Sequence, residues 1–246
     1  MIRWSWRLFV ALVLVGMTVA LGAVHFLIFH DSKDLFFYLA LDIVFVPFQV
    51  LLVTIIIERL LAEREKQVML HKLNMVIGAF FGETGTQMLR DITRFCEDFP
   101  ELTAHFGISA EWTDQDYNDA VKFATVREYK LKPAAADFAA MRSFLLSQRS
   151  FLLGLLENPN LLEHERFTDL LWAVSHLTEE LEVRPGFEDL PPSDIAHITA
   201  DTKRALGLLI REWLAYMKHL KASYPYIYSL AIRTNPFNPN ASPIVK

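Results

Sequence analysis

Residues 8 to 29 read LFVALVLVGMTVALGAVHFLIF and carry no formal charge. A helix of about 20 residues crosses the hydrocarbon layer of a bilayer, so this run predicts a span. A second run, 35 to 57, reads LFFYLALDIVFVPFQVLLVTIII with one acid, Asp42. Only His30-Asp31-Ser32-Lys33-Asp34 separates them, enough for a helical turn and too little for a domain or a pore loop. Backbone in lipid must satisfy its own hydrogen bonds, which leaves helix as the conformation for both runs. The apolar run through Phe29 is too long for a cleaved signal core, although Arg3 and Arg7 imitate an n-region and Thr18-Val19-Ala20 a cleavage site.

Basic residues near span ends set orientation. Arg3 and Arg7 precede the first run, and Arg59, Arg64, Lys66 and Lys72 follow the second; the turn holds only Lys33. Both termini are therefore expected in the cytoplasm, with Trp4, Trp6 and Tyr38 as interfacial anchors. A charge in lipid is costly, so Asp42 is expected to face a partner, and His25 is the natural one. At 1.5 Å per residue their depths in an antiparallel hairpin differ by about 4–5 Å. Thr18, Gly22 and His25 share one helix face, and Asp42 and Gln49 another.

The excess of apolar residues is local. The chain is 52% hydrophobic with a mean hydropathy of +0.24. Residues 58–246 hold 21 of the 24 basic and 26 of the 29 acidic residues. An acidic domain is a poor match for nucleic acid, whose affinity comes largely from neutralised phosphates, and no nucleic-acid partner is expected. The expected partners are the lipid bilayer and a protein or a second copy of the chain. Cys96 is the single cysteine, so neither an intramolecular disulfide nor a zinc spacing is available.

Beyond the second run, apolar residues continue at helical spacing from Leu60 to Phe95, predicting a long membrane-proximal helix over 58–98. It is interruptible near Gly82 or Gly85 and ends at Phe99-Pro100. Thr113 with Asp116 predicts a capped helix to about Tyr129. Pro133 marks the start of the next, burying Phe138, Met141, Leu145, Leu152 and Leu155. Another helix is expected over 162–181, and a last one from a Ser193 cap to Lys221, with Ile195, Ile198, Ala205, Leu209, Trp213, Tyr216 and Leu220 on one side. No alternating run predicts a strand. The fold class is all-α: a two-helix transmembrane hairpin (1–57), the long helix (58–98), a cytosolic helical bundle (99–237) and an extended tail (238–246).

Val50–Leu61 (VLLVTIIIERLL), Lys72–Phe81 (KLNMVIGAFF) and Tyr224–Phe237 (YPYIYSLAIRTNPF) resemble stretches of uncharacterised bacterial membrane proteins with two N-terminal spans. The resemblance covers most of the chain. It implies a bacterial inner membrane location and brings no activity, cofactor or site residue.

No catalytic or cofactor motif is complete. Gly78-Ala-Phe-Phe-Gly82-Glu-Thr-Gly85-Thr lacks the lysine of a phosphate loop, and close helix packing at Gly78 and Gly82 is the expected role of its glycines. His164-Glu165-Arg166-Phe167-Thr168 begins like a zinc-protease helix but puts Thr168 where the second histidine is needed. His176 with Glu180 and His197 with Asp201 are i,i+4 pairs on separate helices. Facing each other they would present four ligands, as in a bundle metal site. Polar pairing on solvated faces is the simpler expectation, with Arg204 and Arg211 beside the second pair. Arg233, among Tyr224, Tyr226 and Tyr228, is expected to pack its stem. No catalytic, cofactor-binding or metal residue is assigned. The leading reading is a membrane-anchored helical interaction or signalling module. The alternatives are a metal-binding helical-bundle enzyme and an oligomeric channel subunit.

Overall fold

Each apolar run forms a helix. The computed structural model describes residues 2–29, 32–161 and 164–245. The turn residues His30 and Asp31, and Leu162 where a helix is expected to begin, lie outside them. The chain divides into two compact units, Met1–Lys66 and Gln67–Lys246.

In the first unit, α1 (Ile2–Phe29) holds the first run. The second run opens α2 (Ser32–Phe80), which has Pro47 in its interior; the unit boundary falls within this helix. Almost every described side chain of both runs is exposed, Val44 at 71% and Leu27 at 68% for example.

Among its described residues the second unit has helices and connecting loops, and its one β contact is an isolated antiparallel bridge, Cys96 to Leu131. After Phe80 the helical path widens into a π-helical turn, Phe81–Gly85, then returns to α geometry in α3 (Thr86–Thr93). The long helix therefore is not uniform: the π turn lies at the two glycines, and α geometry stops at Thr93. Phe99-Pro100, read as a stop, opens a new helix, α4 (Phe99–Phe106), because a proline in the first turn gives up no helical hydrogen bond.

α5 (Asp114–Val126) starts on the expected capping box. Thr113 Oγ1 accepts from the Asp116 N–H at 3.3 Å and the Asp116 carboxylate accepts from the Thr113 N–H at 2.6 Å. The helix expected from Pro133 begins instead at Ala135 and is two helices, α6 (Ala135–Ser147) and α7 (Arg149–Leu156), broken at Gln148. At the break, Gln148 Oε1 accepts from the hydroxyl of Thr84, a fully buried residue of the π turn (3.3 Å).

α8 (Glu165–Glu182) and α9 (Pro192–Ser223) form the spine. Both bury a stripe at helical spacing: Phe167, Leu170, Val174, Leu177 and Leu181 from α8, and Ile198, Leu206, Leu209, Trp213 and Leu220 from α9. Fully burying a side chain of this kind stabilises by about 1.5–3 kcal/mol. Two expectations fail at the start of α9. It begins at Pro192 after a Pro191 cap, not at Ser193, and Ile195 stays 36% exposed.

α10 (Pro225–Arg233) closes the bundle. Tyr228 donates to the Ser109 carbonyl (2.8 Å), which leaves the Tyr117 hydroxyl to donate to the Tyr228 oxygen (3.0 Å). Arg233 folds back on its own helix and the tail, donating to the carbonyls of Ser229 and Pro243. Beyond α10 the chain is non-helical as expected, but its first residues are core. Asn235 Nδ2 donates to the Phe106 carbonyl (2.9 Å), and Phe237 is fully buried between Phe106 and Trp213.

Candidate functional site

The two histidine pairs meet. α8 presents His176 and Glu180, and α9 presents His197 and Asp201, across the spine interface. His176 Nε2 lies 3.5 Å from Asp201 Oδ2 and 3.9 Å from Glu180 Oε1. His197 Nε2 lies 3.4 Å from Asp201 Oδ2 and 3.5 Å from Glu180 Oε2. Each imidazole thus straddles both carboxylates. Asp201, expected on a solvated face, is only 4% exposed, and its Oδ2 is buried without a hydrogen bond.

The charges of the two acids are already met. Arg184 donates to Glu180 Oε2 (2.8 Å) and to both oxygens of Asp194. That guanidinium, with the nearby imidazoles as smaller contributors, holds the Glu180 carboxyl below its ordinary range. Arg204 Nη1 lies 3.2 Å from Asp201 Oδ1. As the side chains stand, no three His, Cys, Asp or Glu groups among the described residues could hold a metal ion. Arg184, paired with Glu180 of α8 and Asp194 of α9, ties the two helices together beside the histidines.

The glycine-rich stretch has a different role from the expected one. A Cβ on Gly78 would make ordinary contact with the Tyr216 ring at 3.6 Å, and one on Gly82 would meet open space. Gly85 is the crowded position, where a Cβ would stand 2.6 Å from the rings of Phe80 and Phe81. The space at Gly82 is a cleft of about 300 Å³ walled by Phe81, Trp213, Tyr216, Met217, Ile227 and Leu230. Its polar edge is Thr86, Gln87, Arg90 and Thr234. Arg90 donates to Gln87 Oε1 at 2.8 Å and reaches the Thr234 carbonyl at 3.5 Å. The sequence placed Trp213 and Tyr216 on the apolar side of α9 but did not single out Arg90, because the cleft joins α3, α9 and α10.

Elsewhere the polar groups are structural. Arg127 clamps Glu101 with two bonds (2.6 and 2.7 Å) and also Asp98 (2.5 Å). Glu212, 2% exposed, pairs with Arg166 at 2.5 Å. His164 caps α8 by accepting from the Phe167 N–H (3.1 Å). Burial pushes the Cys96 thiol up to about 12, reinforced by Asp98 and opposed by Arg127, so it carries no nucleophilic thiolate near neutral pH. In the first unit Gly22 and His25 are half-buried, and Asp42 is exposed.

Residues 69–233 match the C-terminal helical domain of uncharacterized protein MJ1433, and residues 2–61 match its N-terminal helical domain. The chain belongs to the MJ1433 family. A curated relative, uncharacterized protein MJ1433 of Methanocaldococcus jannaschii, is 41% identical over 241 residues, covering 98% of this chain and 96% of its own. No solved structure matches. The family is uncharacterised, as the resemblance implied, but this relative is archaeal where bacterial proteins were expected, and the bacterial source finds no support. The two family domains agree with an all-helical chain of two parts.

Proposed function

We propose that the chain is a membrane-anchored helical module. Residues 8–29 and 35–57 span the cytoplasmic membrane as a hairpin with both termini on the cytoplasmic side. The bundle works there by binding a protein partner or a second copy of itself. The observation that carries this reading is the state of the two apolar helices. The segment Ala11–Ile28 has a mean hydropathy of 2.3 and the most apolar 18 residues of the helix that runs on from Phe36 have 2.5, and none of these residues is buried within the chain. Each large aliphatic side chain left in water forfeits about 1.5–3 kcal/mol, and a contiguous apolar surface of this length marks an interaction with lipid or protein. Pro47 inside α2 fits the same reading, since proline is tolerated in spanning helices.

Within the hairpin, His25 and Asp42 form an interhelical polar contact worth roughly 0.6 kcal/mol and up to about 2 kcal/mol. Gly22, one turn from His25, leaves that face of the helix open, since a Cβ there would meet nothing within 4 Å.

The test is extraction and topology. The chain should remain in the membrane pellet after an alkaline carbonate wash and be released by detergent. Alkaline-phosphatase fusions should be active within the 30–34 turn and inactive after Lys72. Release by carbonate overturns the anchor, and activity after Lys72 overturns the orientation. His25→Cys with Asp42→Cys, in a Cys96→Ser background, should cross-link within one chain. Failure there while neighbouring pairs succeed removes the polar contact.

A further inference from the structure

We propose that the cleft beside the π-helical turn binds an amphipathic organic anion, its carboxylate or phosphate held by Arg90 and its apolar body lying against Phe81, Trp213, Met217 and Leu230. Three independent observations converge on it.

The first is a cation without a counter-ion. Arg90 is half-buried in an acidic domain, yet Asp91, the acid next to it, pairs instead with Arg94 (3.2 Å). Among the described residues Arg90 has no carboxylate partner. Among the described residues its guanidinium donates to neutral oxygens alone, those of Gln87 and Thr234. No acid lines the cleft. A guanidinium in this state offers a planar fork matched to a carboxylate or phosphate.

The second is that the space is kept at a cost. Glycine inside a helix is less stable than alanine by roughly 0.5–1 kcal/mol, and Gly82 meets nothing within 4 Å that would require it. π turns inside α-helices recur at functional sites, and this one widens the helix where the cleft opens. Any side chain at 82 would enter the space.

The third is the chemistry of the neighbouring surface. A second cleft, of about 440 Å³ and lined by Arg94, Thr93, Asn235 and Asn238, shares Arg90 and Pro236 with the first. The two clefts, the second the more polar, therefore meet at Arg90. One anionic head and one apolar body is the ligand shape that matches this division.

The inference does not rest on membrane anchorage. A free organic acid and a lipid carry the same chemistry, and the experiment separates them. The full-length chain in phosphatidylcholine nanodiscs is titrated calorimetrically with 2-naphthoate and with neutral 2-naphthalenemethanol. Naphthoate should bind saturably at one site. Arg90→Gln should weaken it by about tenfold or more, the loss of one hydrogen-bonded charge pair, and leave naphthalenemethanol unchanged. Arg90→Lys should fall between. Gly82→Phe should abolish both while melting no lower than the parent; if it fails to fold, the Arg90 pair still decides. Repeating the titration with phosphatidylglycerol in the discs assigns the head to a lipid if naphthoate binding is lost, and to a free acid if it persists. Absence of saturable naphthoate binding, or equal affinity in Arg90→Gln, overturns the proposal. Failure of the chain to enter discs bears on the anchor alone, and the titration is then made without them.

Discussion

Gly82 and Gly85 stand three residues apart in one π-helical turn, and alanine should act on them in opposite directions. At Gly85 the new Cβ would stand 2.6 Å from Phe80 Cε1 and from Phe81 Cδ1. Neither ring can step aside. Phe80 and Phe81 are 0% and 1% exposed and pack edge-to-face, and Phe80 also abuts Phe167 while Phe81 stacks on Tyr216. Overpacking a core position costs about 1–3 kcal/mol, and replacing a helical glycine returns about 0.5–1 kcal/mol. Mid-range values give a loss of about 1 kcal/mol. At Gly82 only the gain operates, since a Cβ meets nothing within 4 Å. In a chain of this size 1 kcal/mol moves the melting temperature by about 2–4 °C. Gly85→Ala should therefore melt about 2–4 °C below the parent and Gly82→Ala about 1–4 °C above it. The assay is thermal melting of the detergent-solubilised full chain, followed by circular dichroism at the helical band. A Gly85→Ala chain that melts with or above the parent would refute the packing argument. Two shifts of the same sign would show that helix propensity, not ring contact, governs the turn.

Three further outcomes are expected. Arg166→Met leaves the Glu212 carboxylate, 2% exposed, without its half-exposed cation; the cost should be about 1–3 kcal/mol by urea unfolding at neutral pH, and adding Glu212→Gln should recover much of it, whereas no recovery would remove the ion pair as the cause. Glu180 titrates below its unfolded value of 4.5, chiefly through the Arg184 hydrogen bond. A depressed carboxyl contributes stability above the unfolded pKa and loses it as pH falls through the folded one, so the urea midpoint should drop on the acid side of 4.5 less steeply in Arg184→Met than in the parent; equal slopes would discard the assignment. Cys96, 8% exposed and with its thiol pushed up to about 12, should resist maleimide in the folded chain and react on unfolding; rapid labelling of the native chain would contradict its burial.

The parts of this fold readable from sequence are those in which one helix buries one stripe. The stripes of α8 and α9 and the Thr113–Asp116 box needed only local spacing. What was misread depended on distant partners. Gln148, where α6 stops and α7 starts, accepts a hydrogen bond from Thr84, 64 residues earlier. Phe99-Pro100 and Tyr224-Pro225 open α4 and α10, since proline in a first turn starts a helix as readily as it ends one. The i,i+4 spacing of His176 with Glu180 and His197 with Asp201 was visible, but their meeting is a property of how α8 lies on α9. The burial of Asp201 ran against the charged residues that follow it, because Arg204 pairs with it from the solvent side. The glycine motif pointed to the right turn and the wrong glycine: which of Gly82 and Gly85 is crowded depends on the aromatic rings around them.

The anchoring of Asn235 and Phe237 bears on the order in which the chain is made. Phe106 offers its carbonyl to Asn235 and its ring to Phe237, across 129 residues in the first case. Synthesis proceeds at about 5–20 residues per second, so α4 spends on the order of ten seconds outside the ribosome before its cover exists. During that interval Phe106 and, once made, Trp213 present bare aromatic surface to the cell. The bundle cannot reach its final core domain-half by domain-half; it must wait in an incomplete state for the segment after α10. A chain stalled or cut before residue 235 would hold nearly all the helices and still be a target for chaperones and proteases, whatever the strength of the α8–α9 spine.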